Sequence, residues 1–136
     1  MSDDADGLWV VYSDGASRGN PGPAALGAVV IDPSGKVRAE RSEAIGVTTN
    51  NVAEYRGLIA GLEAALALGA RRLEVRMDSE LLVKQATGLY RVKHPGLIPL
   101  AHRAAQLRSQ FEEVSFRHVR RELNKRADSL ANRAFK

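Results

Sequence analysis

Five consecutive bulky residues, Leu8 to Tyr12 (LWVVY), run straight into Ser13, Asp14 and Gly15. An unbroken apolar run of this kind reads as a strand covered on both faces. It delivers Asp14 to the point where that strand should stop. A turn-rich segment follows, Gly19-Asn20-Pro21-Gly22-Pro23, whose glycines let backbone N–H groups approach a ligand. In an open α/β sheet, ligands and chemistry gather at the carboxyl ends of strands. The plainer alternative is an Asp-Gly pair opening a surface turn, and the later carboxylates have to decide between the two.

The chain downstream supplies the rest of a sheet. Ala24 to Asp32 is a second apolar run, closed by the reverse turn Asp32-Pro33-Ser34-Gly35. Lys36 to Ile45 places Val37, Ala39 and Arg41 on one parity, as a partly exposed antiparallel strand does. The first three strands therefore form a meander. Gly46 to Asn51 is a polar connector ending in good helix-capping residues. The helix after it carries Val52, Tyr55, Leu58, Ile59, Leu62 and Leu66 at helical spacing and stops at Leu68-Gly69. Gly57 and Gly61 inside it each cost about 1 kcal/mol of helix propensity, which points to close packing against a neighbour.

Arg71 to Met77 alternates and runs into Asp78-Ser79. Strand, helix and strand make a right-handed crossover, so this strand should lie parallel to the first. Asp14 and Asp78 would then stand side by side at the carboxyl ends of adjacent strands. Beyond them, Ser79 to Thr87 reads as a short helix capped by Ser79. Gly88 to Pro99 is irregular, and Leu100 to Phe111 is helical. Val114 to Val119 alternates as a last strand, and Arg120 to Asn124 is a basic connector. Asn124 then caps a final helix with Ala127, Leu130, Ala131 and Ala134 on one face.

A length of 136 residues suits one domain with a real core. The acidic residues 1–7 lack an apolar stretch, so we expect a disordered tail there rather than a signal peptide, and a single domain over 8–136. No run approaches the ~18 apolar residues of a membrane span, so no membrane partner is expected. With no cysteine, disulfides and thiolate metal sites are excluded. A reducing compartment fits that composition, and the expectation is a cytoplasmic monomer. Residues 1–90 hold 9 Lys/Arg against 12 Asp/Glu, whereas residues 91–136 hold 11 against 4. A basic third of this kind suggests a polyanionic partner, with a solvated basic face as the alternative.

Four acidic residues fall at the ends of these elements: Asp14, Glu54, Asp78 and Asp128. Singly, each has an ordinary explanation. Glu54 lies three residues after Asn51, as in a capping box, and Asp128 favours a helix N-terminus through the dipole. Together they would converge at one sheet edge, where crowded carboxylates repel and one must take up a proton. A hard divalent cation removes that penalty. Mg²⁺ suits such a site because it needs few carboxylates and completes its shell with water and phosphate. Two ions about 3.5–4 Å apart could activate a water and stabilise the leaving oxygen of a phosphodiester.

Four stretches that carry these acids, YSDGASRGNPGPAALGAVV, TTNNVAEYRGLIAGLEAAL, VRMDSELLVKQ and NKRADSLAN, resemble the signature blocks of type 1 ribonuclease H. They come in the family's order and cover Trp9 to Phe135. The resemblance implies an α/β, ribonuclease H-like fold: a five-stranded mixed sheet, a three-strand antiparallel meander plus two parallel strands, flanked by helices. It implies an endonuclease that hydrolyses the RNA strand of RNA/DNA hybrids with Mg²⁺ or Mn²⁺, leaving 5′-phosphate and 3′-hydroxyl ends. By that resemblance Asp14 bridges two ions, Asp78 and Glu54 hold one, and Asp128 completes the other as the most tolerant position. Glu54 also faces the RNA 2′-hydroxyl, the group that distinguishes RNA from DNA.

Nucleic-acid contacts carried over in the same way are Gly15, Ala16, Ser17, Arg18, Asn20, Thr49, Asn50 and Asn51, and Ser79, Arg120 and Arg121 are further candidates. His118 stands at a spacing compatible with the family's mobile-loop histidine, though its alternating surroundings read as strand. A structural or phosphate-contacting histidine is the alternative, with Arg120 or Arg121 taking over its role. The family's basic, tryptophan-bearing protrusion is reduced here to Gly88 to Gly96, with Arg91 and Lys93 as its cations. Two competing readings remain: a binding module that lost catalysis, and a related metal nuclease acting on double-stranded RNA or RNA–DNA junctions.

Overall fold

The computed structural model describes residues 7–135, so most of the acidic tail, residues 1–6, lies outside it. Three antiparallel strands open the fold: β1 (Leu8–Ser17), β2 (Gly22–Ile31) and β3 (Val37–Thr48). Helix α1 (Asn50–Ala67) crosses over to β4 (Arg72–Met77), which pairs parallel to β1. Then come α2 (Glu80–Ala86), α3 (Ile98–Arg108) and β5 (Glu113–His118), the last parallel to β4. A 3₁₀ turn over Arg121–Leu123 leads into α4 (Lys125–Arg133). The sheet order is β3-β2-β1-β4-β5, the mixed five-stranded sheet that the resemblance implied.

Burial corrects the opening expectation about β1. Trp9, Val11 and Ser13 are buried, but Val10, Tyr12 and Asp14 are half-exposed. The strand covered on both faces is β2, where every residue from Ala24 to Val30 is buried. The reason is that α1 and α4 lie on opposite faces of it. Gly61 of α1 packs on Val11 and Ala28, while the neighbouring residue Gly27 packs on α4. β1 also runs further than expected: it pairs parallel to β4 up to Tyr12, then continues along β2 to Ser17. Asp14 is therefore within a strand but beyond the end of the parallel ladder.

Further boundaries move, among them α3, which begins at Ile98 with Pro99 in its first turn and ends at Arg108, not Phe111. Strand β3 extends through Thr48, taking half of the supposed connector, with Thr48 paired to Gly22. Helix α1 accordingly starts earlier, and Thr49 rather than Asn51 is its cap, its hydroxyl accepting from Val52 N at 3.3 Å. The turn at Asp32 forms as expected, with the carboxylate accepting from Ser34 and Lys36 N–H groups. No helix among the described residues is long and apolar enough to cross a membrane.

Candidate active site

Glycine contacts bring both long-range partners up to Asp14. A methyl group added at Gly57 of α1 would lie 2.3 Å from the Asp14 carbonyl oxygen, and one at Gly15 would lie 2.1 Å from Ala53 and 2.4 Å from Glu54 N. Backbone rests on backbone here, so α1 presents Glu54 directly beside Asp14. On the other side, Gly27 is the ladder partner of Asp14. A methyl there would meet the Ala127 carbonyl oxygen at 2.1 Å. This approach places Asp128, the next residue of α4, within hydrogen-bonding reach of Asp14. The close packing expected of Gly57 is found, whereas Gly27 lay unnoticed within an apolar run.

Asp78 follows the last residue of β4 and lines one shallow depression with Ser13, Asp14, Glu54, Met77, Ser79 and Leu82. The electrostatics are those of crowded anions. Burial, then the Asp78 charge and a hydrogen bond with Asp128, push the Asp14 carboxyl up from its ordinary 3.8 to about 8, against the Gly15 N–H that favours its anion. Burial and Asp78 also raise Glu54, opposed by a hydrogen bond from the Ser79 hydroxyl. Among the described residues, no group of three or more acidic or histidine side chains stands ready-formed around a cation position. The four carboxylates instead interact pairwise, Asp14 with Asp78 and Asp128, and Glu54 with Asp78. Like charges without a counter-ion keep apart, and a proton on Asp14 does part of what a cation would do. An oxygen-only set of this charge fits Mg²⁺ or Mn²⁺.

With Thr49 as cap, α1 has no acidic residue in its first turn, so Glu54 belongs to no capping box. Ser79 does cap α2, accepting from Leu82 N at 3.2 Å. Asp128 lies in the first turn of α4. Asn124 departs from expectation: its side chain makes no capping hydrogen bond. It turns inward, 1 % exposed, and donates to Ser13 O at 2.9 Å and Asp78 Oδ2 at 3.0 Å. Sequence reading missed this role because Asn before a helix carries the same signature as a cap.

The polar contacts divide into those used within the protein and those left open. Asn50 Oδ1 accepts from Ser17 N at 2.9 Å, and Asn20 Oδ1 accepts from Asn50 N at 3.0 Å. Their acceptor ends thus tie the Gly19–Pro23 turn to the start of α1, which leaves the amide N–H groups of Asn20 and Asn50 available as donors. Asn20, Thr49 and Asn51 line a cleft of about 170 Å³ together with His94 and Leu97. Arg18 is exposed, its guanidinium 4.1 Å from the Phe135 ring centroid. Ala16 is half-buried in β1. Arg120 and Arg121 are exposed at the 3₁₀ turn. His118 ends β5, and its Nε2 lies 3.2 Å from the Asp78 carbonyl oxygen, so it is part of the sheet edge and not of a loop.

A Reverse transcriptase-like family model matches residues 12–134. Ribonuclease HI of Halobacterium salinarum is 48% identical over 131 residues, covering 96% of this chain and 66% of that protein. The solved RNase H1 structure from that archaeon superimposes with a TM-score of 0.91 at 48% identity, over 95% of this chain and 98% of the other. The chain belongs to the type 1 ribonuclease H family. A ribonuclease H relative, LC11-RNase H1, solved in complex with an RNA/DNA hybrid, matches with a TM-score of 0.87 at 44% identity, over 93% and 95% of the two chains. A bifunctional protein of Mycobacterium tuberculosis is 54% identical over 127 residues, 92% of this chain and 35% of that protein. The chain thus spans about a third of the length of that mycobacterial relative.

Proposed function

We propose that this chain is an endoribonuclease that hydrolyses the RNA strand of RNA/DNA hybrids, leaving 5′-phosphate and 3′-hydroxyl ends. One observation carries the reading: close backbone packing at Gly15, Gly57 and Gly27 crowds Asp14 together with Asp78 and Asp128, which drives its carboxyl up. A fold gains nothing from that crowding, and strongly perturbed acids with a specific charge partner in a cleft mark functional sites. The hybrid-bound relative of the same fold supports the substrate class.

Asp14, Glu54, Asp78 and Asp128 would hold two Mg²⁺ or Mn²⁺ ions when substrate is bound. Such ions supply a water of lowered pKa as nucleophile and stabilise charge on the leaving oxygen. The chain's own groups do the positioning. Asp14 and Asp78 set the site between β1 and β4, and Glu54 faces it from α1 with the Ser79 hydroxyl restraining its carboxylate. The free amide donors of Asn20 and Asn50, with Asn51 and the backbone from Gly15 to Arg18, suit sugar and phosphate oxygens. Thr49 keeps a hydroxyl proton to donate after accepting from Val52 N. Arg120 and Arg121 meet backbone phosphates beside the site. His118, anchored on the Asp78 carbonyl, supports that backbone. A cysteine-free sequence fits a reducing compartment, and we place the enzyme in the cytoplasm, acting as a monomer.

The test is cleavage of end-labelled RNA/DNA, RNA/RNA and junction duplexes with Mg²⁺ or Mn²⁺. The RNA strand of the hybrid should be cut fastest, and Asp14→Asn and Asp78→Asn should both abolish cutting. No cutting of any duplex would make the chain a binding module. Faster cutting of RNA/RNA would reassign its substrate.

A further inference from the structure

The parallel ladder between β1 and β4 ends at Tyr12 and Arg76, two positions short of Asp14 and Asp78. Beyond it β1 keeps only its pairing with β2, and β4 ends at Met77. No backbone rung then sets how far apart the two strand-end acids stand. The Asn124 side chain fills that place, 111 residues along the chain from Ser13 and 46 from Asp78. One N–H goes to the Ser13 carbonyl, the peptide leading into Asp14, and the other to Asp78 Oδ2. Both partners are acceptors, so the amide orientation is determined: the reverse would set Oδ1 against two oxygens. The residue is fully buried, and the 3₁₀ turn holds it through Asn124 N donating to Arg121 O at 3.0 Å.

The backbone of Asn124 acts on the fourth acid as well. Its carbonyl accepts from Asp128 N at 3.1 Å, the bond that opens α4. One residue therefore touches the peptide before Asp14, the carboxylate of Asp78 and the amide of Asp128. We propose that Asn124 is a positioning residue: its amide replaces the missing ladder rung, fixes the spacing of Asp14, Asp78 and Asp128, and orients Asp78 for a divalent cation. Helix capping does not explain it, since the side chain reaches no amide of α4. Simple core filling does not either, because Asn124 Oδ1 is buried there without a partner among the described residues, a cost a purely structural site would shed. This inference rests on the hydrolase reading of the site.

The experiment measures Mn²⁺ binding to the full chain without substrate, by electron paramagnetic resonance, alongside steady-state cleavage of a hybrid. In Asn124→Ala, half-saturation by Mn²⁺ should move up by about 10–100-fold, the usual effect of removing a partner of a ligand. The kcat should fall while KM for the hybrid changes by less than about twofold, since substrate contacts are untouched. Wild-type-like Mn²⁺ binding and kcat with merely a lowered Tm overturns the proposal. Should Asn124→Ala not fold, the wild-type Asn124 side-chain amide protons can be followed by nuclear magnetic resonance during a Mg²⁺ titration. Both should shift as Mg²⁺ fills the site, and an amide that does not respond overturns the inference. If the wild type binds no Mn²⁺ and cuts no duplex, the hydrolase reading itself fails, and this inference with it.

Discussion

Helices α1 and α4 each carry one acid to Asp14, but they are held in different ways. α1 has 18 residues, nine of them buried, and rests on β1 through Gly15, Gly57 and Gly61. α4 has 9 residues and buries Ala127, Leu130 and Ala131. Around that stripe its ties are polar: the Ser42 hydroxyl donating to Leu130 O, the Arg126–Glu40 pair, and Asn124 at its start. Glu54 is thus set by the packing of the core, which two backbones in contact leave no room to adjust. Asp128 is set by a smaller apolar seat, one backbone contact at Gly27 and a few hydrogen bonds, each worth about 1 kcal/mol.

Asp14 is the point both helices reach, so its removal has the greatest consequence. Asp14→Asn should lower cleavage of the hybrid by more than about 10³-fold, the scale of losing a preorganised electrostatic group, while raising Tm of the metal-free protein at pH 8. Retention of near-native cleavage would place the chemistry elsewhere. Next comes Gly57→Ala. The roughly 1 kcal/mol gained in helix propensity is outweighed, because a methyl 2.3 Å from Asp14 O forces two backbones apart. Global stability should fall by about 1–3 kcal/mol in a denaturant titration. An unchanged midpoint would show that α1 has slack.

Gly27→Ala tests the other helix. Its methyl would push on Ala127 O, and hydrogen exchange should speed up in α4 while α1 keeps its protection, since weakly anchored elements open locally. Equal loss of protection in both helices would erase the contrast between them. The pH dependence is gentler. Asp14 ionises near 3.8 when unfolded and near 8 in the folded, metal-free protein. Between those values the folded chain holds a proton that the unfolded chain has released. Stability from this group is therefore complete below pH 4 and is lost as pH rises towards 8. That slope should flatten in Asp14→Asn or on adding Mg²⁺, as read by urea titration across pH. The smallest effect belongs to Arg126→Ala: its pair with Glu40 is exposed on both sides, and exposed pairs contribute about 0–1 kcal/mol.

Much of this was legible beforehand. Alternation in Arg71 to Met77 and helical spacing from Val52 to Leu66 identified the crossover, and right-handedness then put Asp14 and Asp78 on adjacent parallel strands. Periodicity reports which way side chains face along one element, and connectivity rules do the rest. What it does not report is contact between two elements. Val10 and Tyr12 were expected to be covered and are half-exposed, because α1 covers only one face of β1 while α4, on the other face, sits mainly over β2. Asn51 was expected to cap α1, but β3 ran on to Thr48 and moved the cap to Thr49.

The amino-acid sequence by itself determined the strand and helix order, the family, and the four acids placed at element ends. These follow from local patterns of polarity and from residue types that a short window contains. Only the tertiary structure decided that Gly27, the ladder partner of Asp14, seats α4, and that Asn124 spans the gap after the last rung between β1 and β4. Both depend on groups more than 40 residues apart meeting at hydrogen-bond or van der Waals distance, and no periodicity along the chain encodes such a meeting.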